Sequence, residues 1–129
     1  MTRREKRVAV FQILYMMDFY ESDLASDQIE NFLLDQEFSD DEKSEIKDEA
    51  NGVLAALPEI DEMISEKTEG WKISRIPKVD LSIIRLSIYE FKYGKLDTGI
   101  AINEAVEIAK EYGDENSGSF VNGVLARMV

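Results

Sequence analysis

The chain has 129 residues, 44% hydrophobic and 33% charged, with a formal net charge of −12, and that length fits one domain able to bury a core. Two prolines and seven glycines exclude a disordered or loop-dominated chain. With no cysteine and no histidine, disulfide frameworks, the usual zinc sites and Ser-His-Asp or Cys-His catalysis are excluded, so catalysis would rest on carboxylates, lysine, tyrosine or an oxygen-bound metal.

The first element begins "MTRREKRVAVFQILY". Val10, Ile13, Leu14 and Met17 recur at i, i+3, i+4 and i+7, the stripe of a helix facing a core. At 100° per residue, Arg4, Arg7, Phe11 and Tyr15 share an adjoining face, and both aromatics are expected to be exposed beside the cations. The apolar stretch contains Gln12, ends at Asp18 and has no small-residue cleavage site. It therefore reads as neither a signal peptide nor a membrane span, and the expected location is the cytoplasm.

A second helix is expected over about 25 to 35, with Ile29, Phe32 and Leu33 inward and Ser26 as N-cap. "SDDE" at 39 to 42 is a capping box, Ser39 answered by Glu42. Ile46, Ala50, Val53, Leu54 and Leu57 continue an apolar stripe that Pro58 is expected to break. Ile60, Met63 and Ile64 then support a further short helix.

"GWKISRIPKVD" from Gly70 to Asp80 reads as a loop. Pro77 fits the first turn of the next helix, with Asp80 near its positive end. That helix, about 78 to 93, carries two apolar stripes, Val79, Ile83 and Leu86 on one side and Leu81, Ile84, Ile88 and Phe91 on the other, so it should be sandwiched. "GKLDTG" ends it. "INEAVEIAKEYG" is amphipathic, with Ala105, Ile108, Ala109 and Tyr112 on one side and Gly113 as its stop.

In "FVNGVL" (120–125) two signals conflict. Asn-Gly between β-branched residues signals a hairpin, while Phe120, Val121, Val124, Leu125 and Met128 recur at helical spacing. An isolated two-stranded ribbon is marginal, so helix is expected, capped by Ser117. Gly123 then implies a close helix–helix approach, and Ile13, Leu14, Leu86, Ile108, Phe120 and Val124 should be buried. The fold class is all-α, about seven helices, in a single domain spanning 1–129.

Charge is strongly zoned. Residues 1 to 10 carry Arg3, Arg4, Lys6 and Arg7 against Glu5, a balance of +3, and the remainder carries −15. Residues 18 to 69 hold eighteen acids and three lysines. Residues 70 to 95 are basic again through Lys72, Arg75, Lys78, Arg85, Lys92 and Lys95. Four cations beside aromatic faces combine phosphate attraction with stacking, the pairing that holds single-stranded RNA. A solvated basic end accounts for the same composition.

Other motifs fail. "YGKLDTG" has Tyr89 where a phosphate loop needs its first glycine. "DENSGSFVNGVL" has Ser119 and Leu125 where a calcium loop needs glycine and glutamate. Asp40, Asp41 and Glu42 read as a solvated helix start. Trp71 and the tyrosines read as core or interface.

"RLSIYE" (85–90), "AINEAVEIAKEYG" (101–113) and "FVNGVL", in that order and spacing, together with "RREKR" and "FQILY", resemble the NusB family of bacterial transcription antitermination factors over nearly the full length. The resemblance implies two three-helix-like subdomains packed across each other and no catalysis, metal or cofactor. It implies as partners the ribosomal protein that doubles as NusE, the boxA element of nascent (notably ribosomal) RNA, other Nus factors and RNA polymerase. Oligomeric state stays open between monomer and homodimer, and no membrane is involved. RNA contacts are then expected from Arg3, Arg4, Lys6 and Arg7, with Phe11, Gln12 and Tyr15 meeting bases and Lys78 and Arg85 extending the surface. The acidic remainder suits a basic ribosomal protein.

Three departures from the family pattern bear on this. Asp97 replaces a frequent proline, predicting a less rigid loop. Ser119 replaces a frequent basic residue, and no basic tail follows Val129, both predicting weaker RNA binding. A related domain fronts some ribosomal RNA cytosine methyltransferases, but those need a cofactor domain and a cysteine. The alternatives are a protein-binding helical adaptor and, less favoured, a carboxylate hydrolase.

Overall fold

The computed structural model describes residues 1–19, 25–68 and 72–129. Among them are six α-helices and one 3-10 turn: α1 (Arg3–Met17), α2 (Ala25–Leu34), α3 (Asp40–Lys67), the turn Ile73–Arg75, α4 (Lys78–Lys92), α5 (Thr98–Tyr112) and α6 (Ser117–Ala126). The described residues contain no strand, as the all-α expectation requires. Ser26, expected as the cap of α2, stands inside that helix, which already begins at Ala25; the core or interface role expected of Trp71 lies outside the described residues. The chain divides into two compact units, Met1–Leu54 and Ala55–Val129.

In the first unit two capping boxes set helix starts. The Thr2 hydroxyl accepts the Glu5 N–H at 3.0 Å while Thr2 N–H donates to Glu5 Oε1 at 2.9 Å. Ser39 and Glu42 repeat the exchange at the start of α3. Each satisfies two donors that a helix N-terminus leaves unpaired. The expected α1 stripe of Val10, Ile13, Leu14 and Met17 is buried, and α2, which packs on α1, adds Ile29 and Leu33. Ile46, Ala50 and Val53 of α3 are buried too. Full burial of each large aliphatic side chain contributes about 1.5–3 kcal/mol.

Pro58 does not break α3, which runs through it from Asp40 to Lys67. A proline removes one helical hydrogen bond; here it sits on the exposed side, where solvent can replace the loss, and buried Ile60 and Ile64 follow it in register. The short helix expected after Pro58 is therefore the end of α3. At its terminus Thr68 is buried and both its N–H and its hydroxyl donate to the Ile64 carbonyl.

The second unit is built on α4, buried on every side from Asp80 to Ile88, as its two apolar stripes require. It packs against α5 and α6, which pack against each other. Asp97 caps α5, accepting the Ile100 N–H at 3.1 Å. The residue expected to loosen this loop thus ties it to the helix that follows. Lys95 adopts φ 59°, the left-handed conformation that reverses the chain after α4.

The segment Phe120–Leu125 is helical, within α6. Ser117 is its first residue rather than its cap: Asn116 holds the cap position, and the buried Ser117 hydroxyl accepts the Asp114 N–H at 3.0 Å. Gly123 is exposed, with no atom within 4 Å of where a Cβ would stand, so it makes no close helix contact. The close approach belongs to Gly118, buried against Lys110 and Val106 of α5. Of the expected core, Phe120 is only half-buried; Ile13, Leu14, Leu86, Ile108 and Val124 are buried.

Asp80 is buried and its Oδ1 has no hydrogen-bond partner among the described residues. Burial raises its carboxyl above the ordinary range; a hydrogen bond from Ser117 opposes this, and the charge of Asp114 adds to it. The Ser117 hydroxyl has one proton to offer and also lies 3.3 Å from Asp114 Oδ1. A raised folded-state value means the contribution of Asp80 to stability is complete below the unfolded-chain value and is lost as pH rises through the folded one. Asp80→Asn should therefore match the wild type in acid and gain about 1 kcal/mol by pH 7, the scale of one unsatisfied buried polar group. Urea titrations at several pH values check this; a variant less stable than wild type at pH 7 would show that the carboxylate is needed ionised.

Candidate nucleic-acid interface

The basic N-terminal segment folds as the first two turns of α1, started by the Thr2 capping box. Glu5, the one acid among the cations, is consumed by that cap, and its hydrogen bonds to Thr2 hold its carboxyl below the usual range. Arg3 and Arg4 are exposed, while Lys6 and Arg7 are half-buried. The ammonium of Lys6 lies 3.8 Å from Glu45 Oε2 and 4.0 Å from Glu49 Oε2, both on α3. The Met1 amino group pairs with Glu42 at 2.9 Å, which raises the amine's proton affinity.

Phe11 is 3% exposed, against the expectation that it presents a face beside the cations. The buried arc of α1 includes Ala9, Val10, Phe11, Ile13, Leu14 and Met17, wider than the four-residue stripe, and Phe11 lies only about 60° from Leu14 at 100° per residue. Tyr15 is 37% exposed, as expected, and meets Phe19 edge-on with ring centroids 5.3 Å apart. Phe19 is 58% exposed, an aromatic face four residues beyond Tyr15 that sequence reasoning missed. Gln12 is half-buried.

Lys78 and Arg85 belong to the second unit. Lys78 is exposed at the start of α4, and its carbonyl accepts the Ser82 hydroxyl. Arg85 is 8% exposed, and its guanidinium grips Asp61 of α3 in a two-point fork, Nε to Oδ1 at 2.9 Å and the terminal nitrogen to Oδ2 at 2.8 Å. Such a fork is the strong form of a charged pair. Arg85 is thus spent inside the unit, and the expected RNA contact from it has no geometric support. The basic zone misleads here because the partner is 24 residues away in sequence. Among the described residues no cluster of acidic side chains is arranged to hold a metal ion, and no helix is long and apolar enough to cross a membrane.

The NusB family model matches residues 4–129. The transcription antitermination protein NusB of Agathobacter rectalis is 43% identical over 131 residues, covering 98% of both chains. That of Acetivibrio thermocellus is 41% identical over 130 residues, covering 100% of this chain and 89% of the relative. Among solved structures, T. maritima NusB superposes with a TM-score of 0.85 at 35% identity, over 99% of this chain and 90% of the other. The antitermination factor NusB in a crystal structure with NusE and double-stranded RNA superposes with a TM-score of 0.84 at 26% identity, over 99% and 97%. A match to the family model over all but the first three residues, and an all-α fold shared with these structures, lead to one conclusion: the chain belongs to the NusB family.

Proposed function

We propose that this chain, a single functional domain over residues 1–129, is a non-enzymatic cytoplasmic transcription antitermination factor. It binds boxA-type RNA of nascent transcripts jointly with a NusE-type ribosomal protein and helps RNA polymerase, with other Nus factors, to pass terminators. The observation that carries the RNA part is the exposure of Arg3 and Arg4 on the first turn of α1, in a chain of net charge −12. An acidic protein repels RNA, so attraction must be local and dense. Screening confines each charge to about 8–10 Å at physiological salt. Family membership and the relative crystallised with NusE and RNA support the partners.

Phosphate contacts by Arg3 and Arg4 position a strand without reading it; in this reading its bases meet Tyr15 and Gln12, of which Tyr15 is exposed and Gln12 half-buried. Arg3→Ala with Arg4→Ala should weaken boxA and scrambled strands alike and flatten the salt dependence by up to about 0.7 log units per lost single-strand contact. Tyr15→Ala should cost roughly 1–3 kcal/mol with the slope unchanged if a base stacks there. Gel shifts over a salt series, with single-stranded and duplex RNA and with and without NusE, supply the readout. Wild-type affinity and slope in the double arginine variant would reduce the basic tip to a solvated end. RNA binding absent even with NusE would leave the protein-adaptor reading.

A further inference from the structure

Lys6 belongs to the basic tip by sequence, yet its ammonium faces acids of α3. Both distances, 3.8 Å to Glu45 and 4.0 Å to Glu49, are long, and the charge is divided between two acceptors. The side chains of Lys6 and Glu45 stay 30% and 60% exposed. Long, wet ion pairs of this kind contribute little to stability, so they are easily exchanged for another anion. Glu42, Glu45 and Glu49 fall at i, i+3 and i+7, one stripe rising by about 4.5 and then 6 Å along the axis of α3. Glu42 is engaged by its Ser39 cap and by the Met1 amino group, while Glu45 and Glu49 meet Lys6.

We propose that Glu45 and Glu49 are an intramolecular competitor for phosphate at Lys6. The inference rests on α1 being the RNA-binding element. Without RNA the two carboxylates occupy the lysine. A phosphodiester that approaches must displace them and remain near two like charges. The tip's affinity for any RNA backbone is thereby held down, and binding depends more heavily on base contacts and on a protein partner. The two acids act as affinity-setting residues of the RNA site, though neither touches RNA.

The test uses the full chain, Glu45→Gln with Glu49→Gln, against a 12-nucleotide oligouridine and a boxA strand, titrated between 50 and 200 mM salt. Glutamine keeps shape and removes charge, and circular dichroism melting verifies the fold. Both RNAs should bind about fivefold tighter or more, the scale of one unit charge acting at 4 Å in water. The salt slope should steepen by up to about 0.7 log units as Lys6 becomes a full phosphate contact. Adding Lys6→Gln to the pair should erase both gains. Unchanged affinity and slope in the glutamine pair overturns the proposal, as does a gain that survives the loss of Lys6, which would be a bulk-charge effect. The Arg3/Arg4 alanine variant run in parallel separates the two readings. If it responds while the glutamine pair does not, only the competitor is lost; if it too is silent, the RNA site on α1 is wrong.

Discussion

Arg85→Ala should lower folding stability by about 3 kcal/mol, the low end of the range for breaking a buried ion pair because Asp61 keeps partial contact with solvent. The arginine is 8% exposed and makes both hydrogen bonds of the fork. Truncating it leaves a carboxylate in the wall of the second unit with neither partner. Lysine retains the charge but lacks the planar fork, so Arg85→Lys should recover only part of the loss. Asp61→Asn should be destabilising in turn, since it strands the guanidinium. Urea denaturation of the three variants measures this. A shift in midpoint with boxA affinity of the folded protein unchanged is the expected pattern. An unchanged midpoint together with weakened RNA binding would return Arg85 to the RNA surface.

Gly113→Ala should cost about 2–3 kcal/mol, the upper part of the usual range for overpacking. Its backbone, φ −94° and ψ −164°, is open to any residue, so the cost is steric. An added Cβ would stand 2.2 Å from Ser117 Oγ, 2.4 Å from Ser117 Cβ and 2.8 Å from the Ala109 carbonyl oxygen. The hydroxyl can rotate away; the Cβ and the carbonyl cannot. Displacing Ser117 would also disturb the Asp114 N–H that it accepts and the proton it offers Asp80. Thermal melting beside Gly123→Ala gives the contrast. Nothing lies within 4 Å of that second position, so the control should hold its stability or gain up to about 1 kcal/mol from helix propensity. Equal melting temperatures for the two variants would show that the α5–α6 junction yields without cost.

Periodicity in the sequence made the helices and most of the core legible. Val10, Ile13, Leu14 and Met17, or Ile60 and Ile64, stand in register whatever lies opposite them. What periodicity cannot give is the width of the buried arc, and Phe11 fell on the wrong side of its edge. Gly118 and Gly123 are alike as letters; only the position of α5 decides which is pressed. Pro58 carries a strong local signal, overruled by the apolar residues that continue the helix beyond it. The cations of the candidate site were legible as a cluster, but their pairing was not. Arg85 meets Asp61 and Lys6 meets Glu45 through folding, across gaps that no local window spans. Asp97 shows the reverse case, a residue expected to loosen its loop whose short carboxylate instead accepts the N–H of Ile100 three residues on.

The connection between α4 and α5 is five residues long and that between α5 and α6 four, and all three helices pack on one another. Closing so short a loop costs little chain entropy. The consequence concerns time rather than strength. Neighbours in sequence can meet within microseconds and find partners without a long search, as in other chains rich in local contacts. The Asp61–Arg85 fork and the Tyr93–Glu59 hydrogen bond join side chains of α3 to α4 and its C-cap, and such side-chain pairs reach bonding distance only once their helices have docked. They act as latches on the assembled unit, and their loss should hasten its opening more than delay its formation.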